Sequence, residues 1–148
     1  MQECTLGTLS KNRIIFQNLR FDSSWEVSYY IFCKINNISI IRNQGEFSFP
    51  YIDNIGKSHK YYPDFYLPDI NKFIEIKGDL FINEDGIILD FVTKKPNIEK
   101  TICVKEHAEI LSEKELKLLG VKLLSKNKIL EIQELMNNNV SNIKYNAI

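Results

Sequence analysis

The chain has 148 residues, of which 44% are hydrophobic and 26% are charged, and its 19 basic and 19 acidic residues give a formal net charge of zero. A chain of this length and composition is expected to form one domain with a hydrophobic core. No apolar run approaches the roughly 20 residues of a membrane span, and the amino terminus lacks the hydrophobic core of a signal peptide. The three cysteines have no paired spacing, which excludes a zinc motif and a disulfide framework. We therefore expect a cytoplasmic protein that has no membrane partner.

The first part of the chain is predicted to contain one helix. Residues 1–12 are polar and are expected to form a loose arm, and residues 13–21 a short strand or an extended lead-in. A helix is expected from about Ser23 to Asn36, because Ser23 and Glu26 have the S-x-x-E spacing of a capping box. Aromatic residues then recur at helical spacing and form an apolar stripe, namely Trp25, Tyr29 and Phe32.

The middle of the chain is predicted to consist of strands. Aromatic and β-branched residues are concentrated in four runs, Ile38–Arg42, Gly45–Tyr51, Tyr61–Leu67 and Lys72–Ile76. Turn-forming residues follow the second run at Asp53–His59 and the third run at Pro68–Asn71. The last two runs are therefore predicted to form a hairpin.

The last part of the chain is predicted to alternate between hairpin, helix and strand. Asp85-Gly86 between two apolar runs indicates a hairpin within residues 80–89. Helical patterns then predict three helices, Ile98–His107, Glu113–Leu119 and Lys126–Asn137, and a short strand at Ala108–Leu111. Asn97 is the expected N-cap of the first of these helices, and Ser112 with Glu115 has the capping-box spacing before the second. The Asn-rich end from Asn137 to Ile148 is expected to be mobile.

The predicted hairpin at residues 61–76 brings ionisable groups together. Asp64 lies on its first strand, and Glu75 and Lys77 share one face of its second strand because side chains alternate. Ionised groups in a mostly apolar sheet are costly unless they are paired or hold a metal. Two converging carboxylates suit Mg²⁺, and a lysine beside the metal would orient a water and offset charge on a phosphate. The pattern predicts hydrolysis of a phosphodiester.

Simpler explanations compete with this interpretation. The spacing P-D…E-x-K is loose, and a Glu–Lys pair is common on the solvated face of an antiparallel hairpin. A glutamate in a capping box, such as Glu26, needs no catalytic role.

A group of residues just before Asp64 is a candidate nucleic-acid surface. His59, Lys60 and Tyr62 combine positive charge with aromatic rings, and would contact phosphates at the edge of a groove. Solvated surface positions without a role are the alternative for each of them.

Three motifs occur in a fixed order along the chain: FDSSWE on the first helix, HKYYPDF, and FIEIKGD followed by an aromatic residue and an Asp-Gly turn. Together they resemble the PD-(D/E)xK (restriction-like) nuclease superfamily, and within it the small phage-encoded or homing-type endonucleases. The resemblance covers about residues 21–121. It implies an α/β fold with a restriction-endonuclease-like core, in which a mixed β-sheet of about four strands is flanked by helices. We accordingly expect an N-terminal arm at 1–20, the nuclease core at 21–124, and a C-terminal helix with a flexible tail at 125–148.

The resemblance also implies roles for individual residues. Asp64 and Glu75 would hold Mg²⁺ (or Mn²⁺) together with the backbone carbonyl of Ile76, and Lys77 would be the catalytic lysine. Glu26 matches an acidic residue that the superfamily places on its first helix near the metal.

The implied function is a metal-dependent endonuclease that hydrolyses DNA phosphodiester bonds by attack of an activated water. A symmetric double-strand cut needs two active sites, which favours a homodimer. If the chain is phage-encoded, it would act in the cytoplasm of the bacterial host. The zero net charge counts mildly against DNA binding, since such domains are usually basic. Two alternatives follow: a non-catalytic nucleic-acid-binding or assembly protein that keeps the fold, and a branched-DNA (junction) resolvase.

Overall fold

The computed structural model describes residues 13–140 and 142–148. In chain order its elements are β1 (Ile14–Phe16), β2 (Leu19–Phe21), α1 (Ser24–Ile35), β3 (Ile41–Arg42), β4 (Phe49–Ile52), β5 (Ser58–Tyr61), β6 (Phe65–Leu67), β7 (Lys72–Lys77), α2 (Ile98–His107), β8 (Ala108–Ser112), α3 (Glu113–Leu118) and α4 (Lys126–Asn137). The chain divides into two compact units, one drawn from the segments up to Ile38 and from Gly120 onward, the other from Ser39–Leu119. The predicted division after residues 20 and 124 stays a prediction.

The first unit combines a small hairpin with α1 and α4. Strands β1 and β2 pair antiparallel, where a strand or lead-in was expected, and the arm predicted for residues 1–12 lies outside the described residues. The rings of Phe16 and Phe21 pack against Tyr30 of α1, with centroids 6.2 and 5.2 Å away. At the other end of the chain, Tyr145 packs edge-to-face on Phe32 at 5.1 Å, a contact that the expectation of a mobile tail did not include.

The second unit is built on a four-stranded sheet in the order β3-β6-β7-β8. Strand β7 pairs antiparallel with β6 and parallel with β8, so the sheet is mixed. This confirms the expected mixed α/β architecture with a four-stranded sheet and several helices. The parallel pair needs a crossover connection, which residues 78–107 supply with α2 at their end.

The strand predicted over Tyr61–Leu67 is divided between two sheets. Tyr61 ends β5, which pairs with β4 in a separate two-stranded sheet, whereas β6 begins only at Phe65. Pro63 lies between them and has no N–H with which to continue a ladder. Its carbonyl instead accepts the Asn43 side-chain amide at 2.8 Å, and the Asp64 carbonyl accepts the Asn43 backbone N–H at 3.1 Å.

The helix bounds and caps predicted from neighbouring residues agree with the structure. The bounds of α2 and α4 are those predicted, and Asn97 caps α2 by accepting the Lys100 backbone N–H at 3.1 Å. The capping box predicted from Ser112 and Glu115 is present at the start of α3. The hairpin expected within residues 80–89 is shorter than predicted, with one antiparallel bridge between Ile82 and Ile88. In the described part of the chain, every helix is too short or too polar to cross a bilayer.

Candidate active site

Asp64 lies at the entrance to β6, beside the neighbouring strand β7. In the β6–β7 ladder Phe65 is opposite Ile74, and one further step in the same register puts Asp64 opposite Glu75. The Asp64 Oδ2 atom accepts the backbone N–H of Ile76 at 2.8 Å. The carboxylate is therefore held against the central strand by a backbone donor.

Arg42 of β3 approaches Asp64 from the other side. Its Nη1 donates to the Asp64 carbonyl oxygen at 3.1 Å and lies 3.5 Å from Oδ1. The Arg42 side chain is 8% exposed and that of Asp64 15% exposed, so this ion pair is largely desolvated. Arg42 also lies over the ring of Phe65, 5.4 Å from its centroid. A buried guanidinium thus balances the charge of Asp64.

Glu75 is buried on β7 and is held at both carboxylate oxygens. Its Oε1 accepts the hydroxyl of Tyr61 at 2.7 Å, and its Oε2 lies 3.1 Å from Nζ of Lys77. Glu75 and Lys77 share one face of the strand, as the alternation predicted, and Ile74 and Ile76 lie on the opposite face. Each carboxylate therefore has a cationic partner, Arg42 for Asp64 and Lys77 for Glu75.

Tyr61 is a site residue that the sequence did not reveal. Its pKa is raised, first by burial and then by the neighbouring charge of Glu75, so the phenol stays protonated and donates its hydrogen bond. Its ring belongs to a core cluster with Ile88, Cys103 and Val104. Nothing in the sequence distinguishes Tyr61 from the adjacent Tyr62, which is 51% exposed.

Lys100 of α2 is a second site residue that the sequence did not reveal. Its pKa is lowered, first by burial and then by the positive charge of Lys77, while Glu75 and Asp64 act in the opposite direction. Lys100 therefore lies within the electrostatic field of the two carboxylates and of Lys77. In the sequence Lys100 is one of many lysines. Only the packing of the crossover helix α2 brings it near the charges of Asp64, Glu75 and Lys77.

The predicted nucleic-acid residues lie around the β4–β5 hairpin. His59 is bonded through Nε2 to Asp53 Oδ2 at 2.8 Å, and its ring stacks on Tyr51 with centroids 5.1 Å apart. These contacts give His59 a structural partner within its own hairpin. Lys60 and Tyr62 are exposed, but only their neighbour Tyr61 contacts the carboxylate cluster.

The candidate ligands are oxygen atoms, which a hard cation such as Mg²⁺ prefers, but there are few of them. Among residues 13–140 and 142–148, no group of three or more His, Cys, Asp or Glu side chains is arranged to hold a metal ion. The site offers two carboxylates, Asp64 and Glu75, and the predicted third ligand is the backbone carbonyl of Ile76. Mg²⁺ prefers oxygen ligands and keeps several of its waters, so one or two carboxylates are sufficient for it.

Glu26 belongs to the first unit and is described by its own contacts. It is buried on α1, where its carboxylate accepts the Asp22 backbone N–H at 3.3 Å and the Ser23 hydroxyl at 3.3 Å. Ser23 Oγ in turn accepts the Glu26 backbone N–H at 3.2 Å, which confirms Ser23 as the helix cap. Glu26 thus takes part in the start of α1, but its carboxylate binds the Asp22 N–H and the Ser23 hydroxyl where a capping box would use the Ser23 backbone N–H.

We compared the chain with models of protein families, with curated protein sequences and with solved structures, and found no match in any of the three. The interpretation of the site therefore rests on its sequence motifs and on the geometry around Asp64 and Glu75.

Proposed function

We propose that this chain is a metal-dependent endonuclease that hydrolyses DNA phosphodiester bonds. The observation that carries the proposal is the juxtaposition of Asp64 and Glu75 on neighbouring strands, with Lys77 3.1 Å from Glu75. A carboxylate pair with an adjacent ammonium is one residue set that supports metal-assisted phosphodiester hydrolysis. The same residues carry the resemblance to the PD-(D/E)xK superfamily, whose restriction-endonuclease-like core is part of the proposal.

Asp64, Glu75 and the carbonyl of Ile76 would hold Mg²⁺ or Mn²⁺. Each of the four carboxylate oxygens already faces at least one donor or cation of the protein, and a carboxylate oxygen has two lone pairs, so a bound donor does not by itself exclude a cation. When bound, the cation would lower the pKa of a water and neutralise charge on the phosphate.

Lys77 would act directly on the substrate. In the present structure its ammonium is bound to Glu75, and it is 18% exposed, so it lies at the border of the buried cluster and solvent. From there it would orient the attacking water and stabilise the charge that develops on the phosphate oxygens. Arg42, which is bound to Asp64, would keep that carboxylate in place.

The proposal extends to partners and location. DNA is the proposed substrate, and a homodimer would supply the two active sites that a double-strand cut requires. The proposed location is the cytoplasm, which is that of a bacterial host if the chain is phage-encoded.

A plasmid-nicking assay tests the proposal. Supercoiled DNA is incubated with the purified protein in Mg²⁺, in Mn²⁺ and in EDTA, and relaxed and linear products are separated on a gel. We expect cleavage that depends on the metal and is lost in Asp64→Asn and Glu75→Gln. Glu109→Gln is the matched control, because Glu109 is an exposed carboxylate of the same sheet that pairs with Lys72. Wild-type protein that cuts no form of DNA with either metal would refute the proposal.

A non-catalytic DNA-binding protein is the second candidate, and one observation favours it. Asp64 and Glu75 already have cationic partners in Arg42 and Lys77, so neither carboxylate needs a metal to compensate its charge. Binding of DNA in EDTA by a gel-shift assay, with no cleavage in either metal, would select this candidate. Cutting of a four-way junction in preference to a linear duplex would instead identify a junction resolvase.

A further inference from the structure

Tyr61 joins two parts of the second unit that belong to different sheets. It ends β5, where it pairs with Phe49 of β4, and its hydroxyl reaches Glu75 of β7 at 2.7 Å. Its side chain is 2% exposed, and that of Glu75 is 6% exposed. The hydrogen bond is therefore shielded from water, which otherwise would compete for both groups.

The ring of Tyr61 and its hydroxyl have separate surroundings. The ring lies in an apolar cluster with Ile88, Cys103 and Val104, and it stacks on Phe49 with centroids 6.4 Å apart. Phenylalanine would satisfy all of these contacts. The hydroxyl donates its hydrogen bond to Glu75, so the oxygen atom of Tyr61 is explained by the carboxylate and not by the core.

Tyr61 and Lys77 both donate to the Glu75 carboxylate, but they differ in how freely they can move away from it. Lys77 has a flexible side chain, and in the proposed reaction its ammonium moves to the substrate. Tyr61 is fixed by its buried ring and cannot follow. Its bond to Oε1 would keep the carboxylate in one orientation while Oε2 is released.

We propose that Tyr61 is a positioning residue, which fixes Glu75 for a divalent cation while Lys77 engages the substrate. This inference rests on the proposed function, because it assigns Tyr61 a part in the same site. It predicts that loss of the hydroxyl weakens metal binding without loss of the fold, since partners of metal ligands typically contribute about 10- to 100-fold in affinity.

The test is Tyr61→Phe, with Tyr66→Phe as the matched control. Tyr66 lies on β6 of the main sheet, and its hydroxyl donates to Asn71 at 2.7 Å, not to a carboxylate. Binding of Mn²⁺ to the full chain is measured from the electron paramagnetic resonance signal of the free ion. We expect Tyr61→Phe to bind Mn²⁺ at least about tenfold more weakly, and its nicking activity to require correspondingly more metal. Tyr66→Phe should match the wild type in both measurements.

A second variant distinguishes positioning from packing. Tyr61→4-aminophenylalanine restores a donor at the ring's end and should recover most of the lost affinity, whereas a packing defect would remain. The inference is overturned if Tyr61→Phe, folded by circular dichroism, binds Mn²⁺ within twofold of the wild type. It is also overturned if the amino variant binds no better than the phenylalanine variant. A wild-type protein that binds no Mn²⁺ would be a different result, because it refutes the proposed function and this inference together.

Discussion

Arg42 and Asp64 form a buried ion pair that also fixes the backbone of the site. One nitrogen of Arg42 donates to the Asp64 carbonyl oxygen at 3.1 Å and lies 3.5 Å from its Oδ1. The guanidinium thus compensates the charge of Asp64 and at the same time holds the residue at the entrance to β6.

Arg42→Gln should destabilise the protein by about 3 kcal/mol, because it removes the guanidinium partner of a largely desolvated carboxylate. The measurement is urea unfolding in EDTA. The matched control is Lys72→Gln, which breaks the exposed pair with Glu109 in the same sheet and should cost less than about 1 kcal/mol.

A double-mutant cycle refines this prediction. Arg42→Gln combined with Asp64→Asn should cost less than the sum of the two single changes, since the second change removes the carboxylate charge that Arg42 compensates. Additive costs would mean that Arg42 contributes through packing on Phe65 or through its bond to the Asp64 carbonyl, and not through the Asp64 carboxylate.

Lys77→Ala should leave Mn²⁺ binding nearly unchanged but slow DNA cleavage by roughly 10²-fold, the scale of one lost group that stabilises a transition state. Lys77→Arg should recover only part of the rate, because a planar guanidinium differs in shape from an ammonium. Single-turnover cleavage at saturating metal measures both variants. A rate for Lys77→Ala close to the wild-type rate would remove Lys77 from the mechanism.

Lys100→Gln should weaken DNA binding and lower its salt dependence by roughly one unit of slope, as expected for one phosphate-contacting lysine. The reason is its position in the field of Asp64, Glu75 and Lys77, where a substrate phosphate would lie in the proposed reaction. Affinity is measured by fluorescence anisotropy at several salt concentrations. Lys105→Gln on the same helix is the control, because Lys105 is exposed. Equal effects of the two changes would indicate a general loss of charge.

Glu26→Gln should reduce cleavage at low Mg²⁺ with little change in the free energy of unfolding. Glutamine keeps one oxygen, which accepts the bond from Asp22, and its amide nitrogen can donate to the Ser23 hydroxyl oxygen, but it removes the negative charge. Raised Mg²⁺ should restore part of the activity. The control is Glu115→Gln in the capping box of α3, which should leave cleavage unchanged. Full activity of Glu26→Gln at low Mg²⁺ would leave Glu26 with a structural role alone.

The features that the sequence predicted are those set by local rules. The caps at Ser23, Asn97 and Ser112 and the alternation along β7 each depend on residues within a few positions, so they could be read directly. The turn that joins Leu67 of β6 to Lys72 of β7 is also set by neighbouring residues. The predicted hairpin therefore already brought Asp64 and Glu75 together.

The partners of the carboxylates could not be predicted in this way. Arg42 meets Asp64 across 22 positions and Tyr61 meets Glu75 across 14, and both contacts depend on how separate strands pack. The break at Pro63 was also missed, because Tyr61–Leu67 has the composition of one continuous strand. That break is what separates Tyr61 from β6 and leaves it in β5.

The short turn at Pro68–Ile70 ends at Asn71, whose backbone is left-handed with φ of 51° and whose side chain accepts the hydroxyl of Tyr66. The length of this turn fixes which residue of β6 faces which residue of β7. A slip of one residue would exchange the two faces of β7, placing Ile74 and Ile76 where Glu75 and Lys77 now lie. The turn should therefore tolerate changes of amino acid far better than a change of length, and insertion of a single residue there would abolish the site while all its side chains remain in the chain.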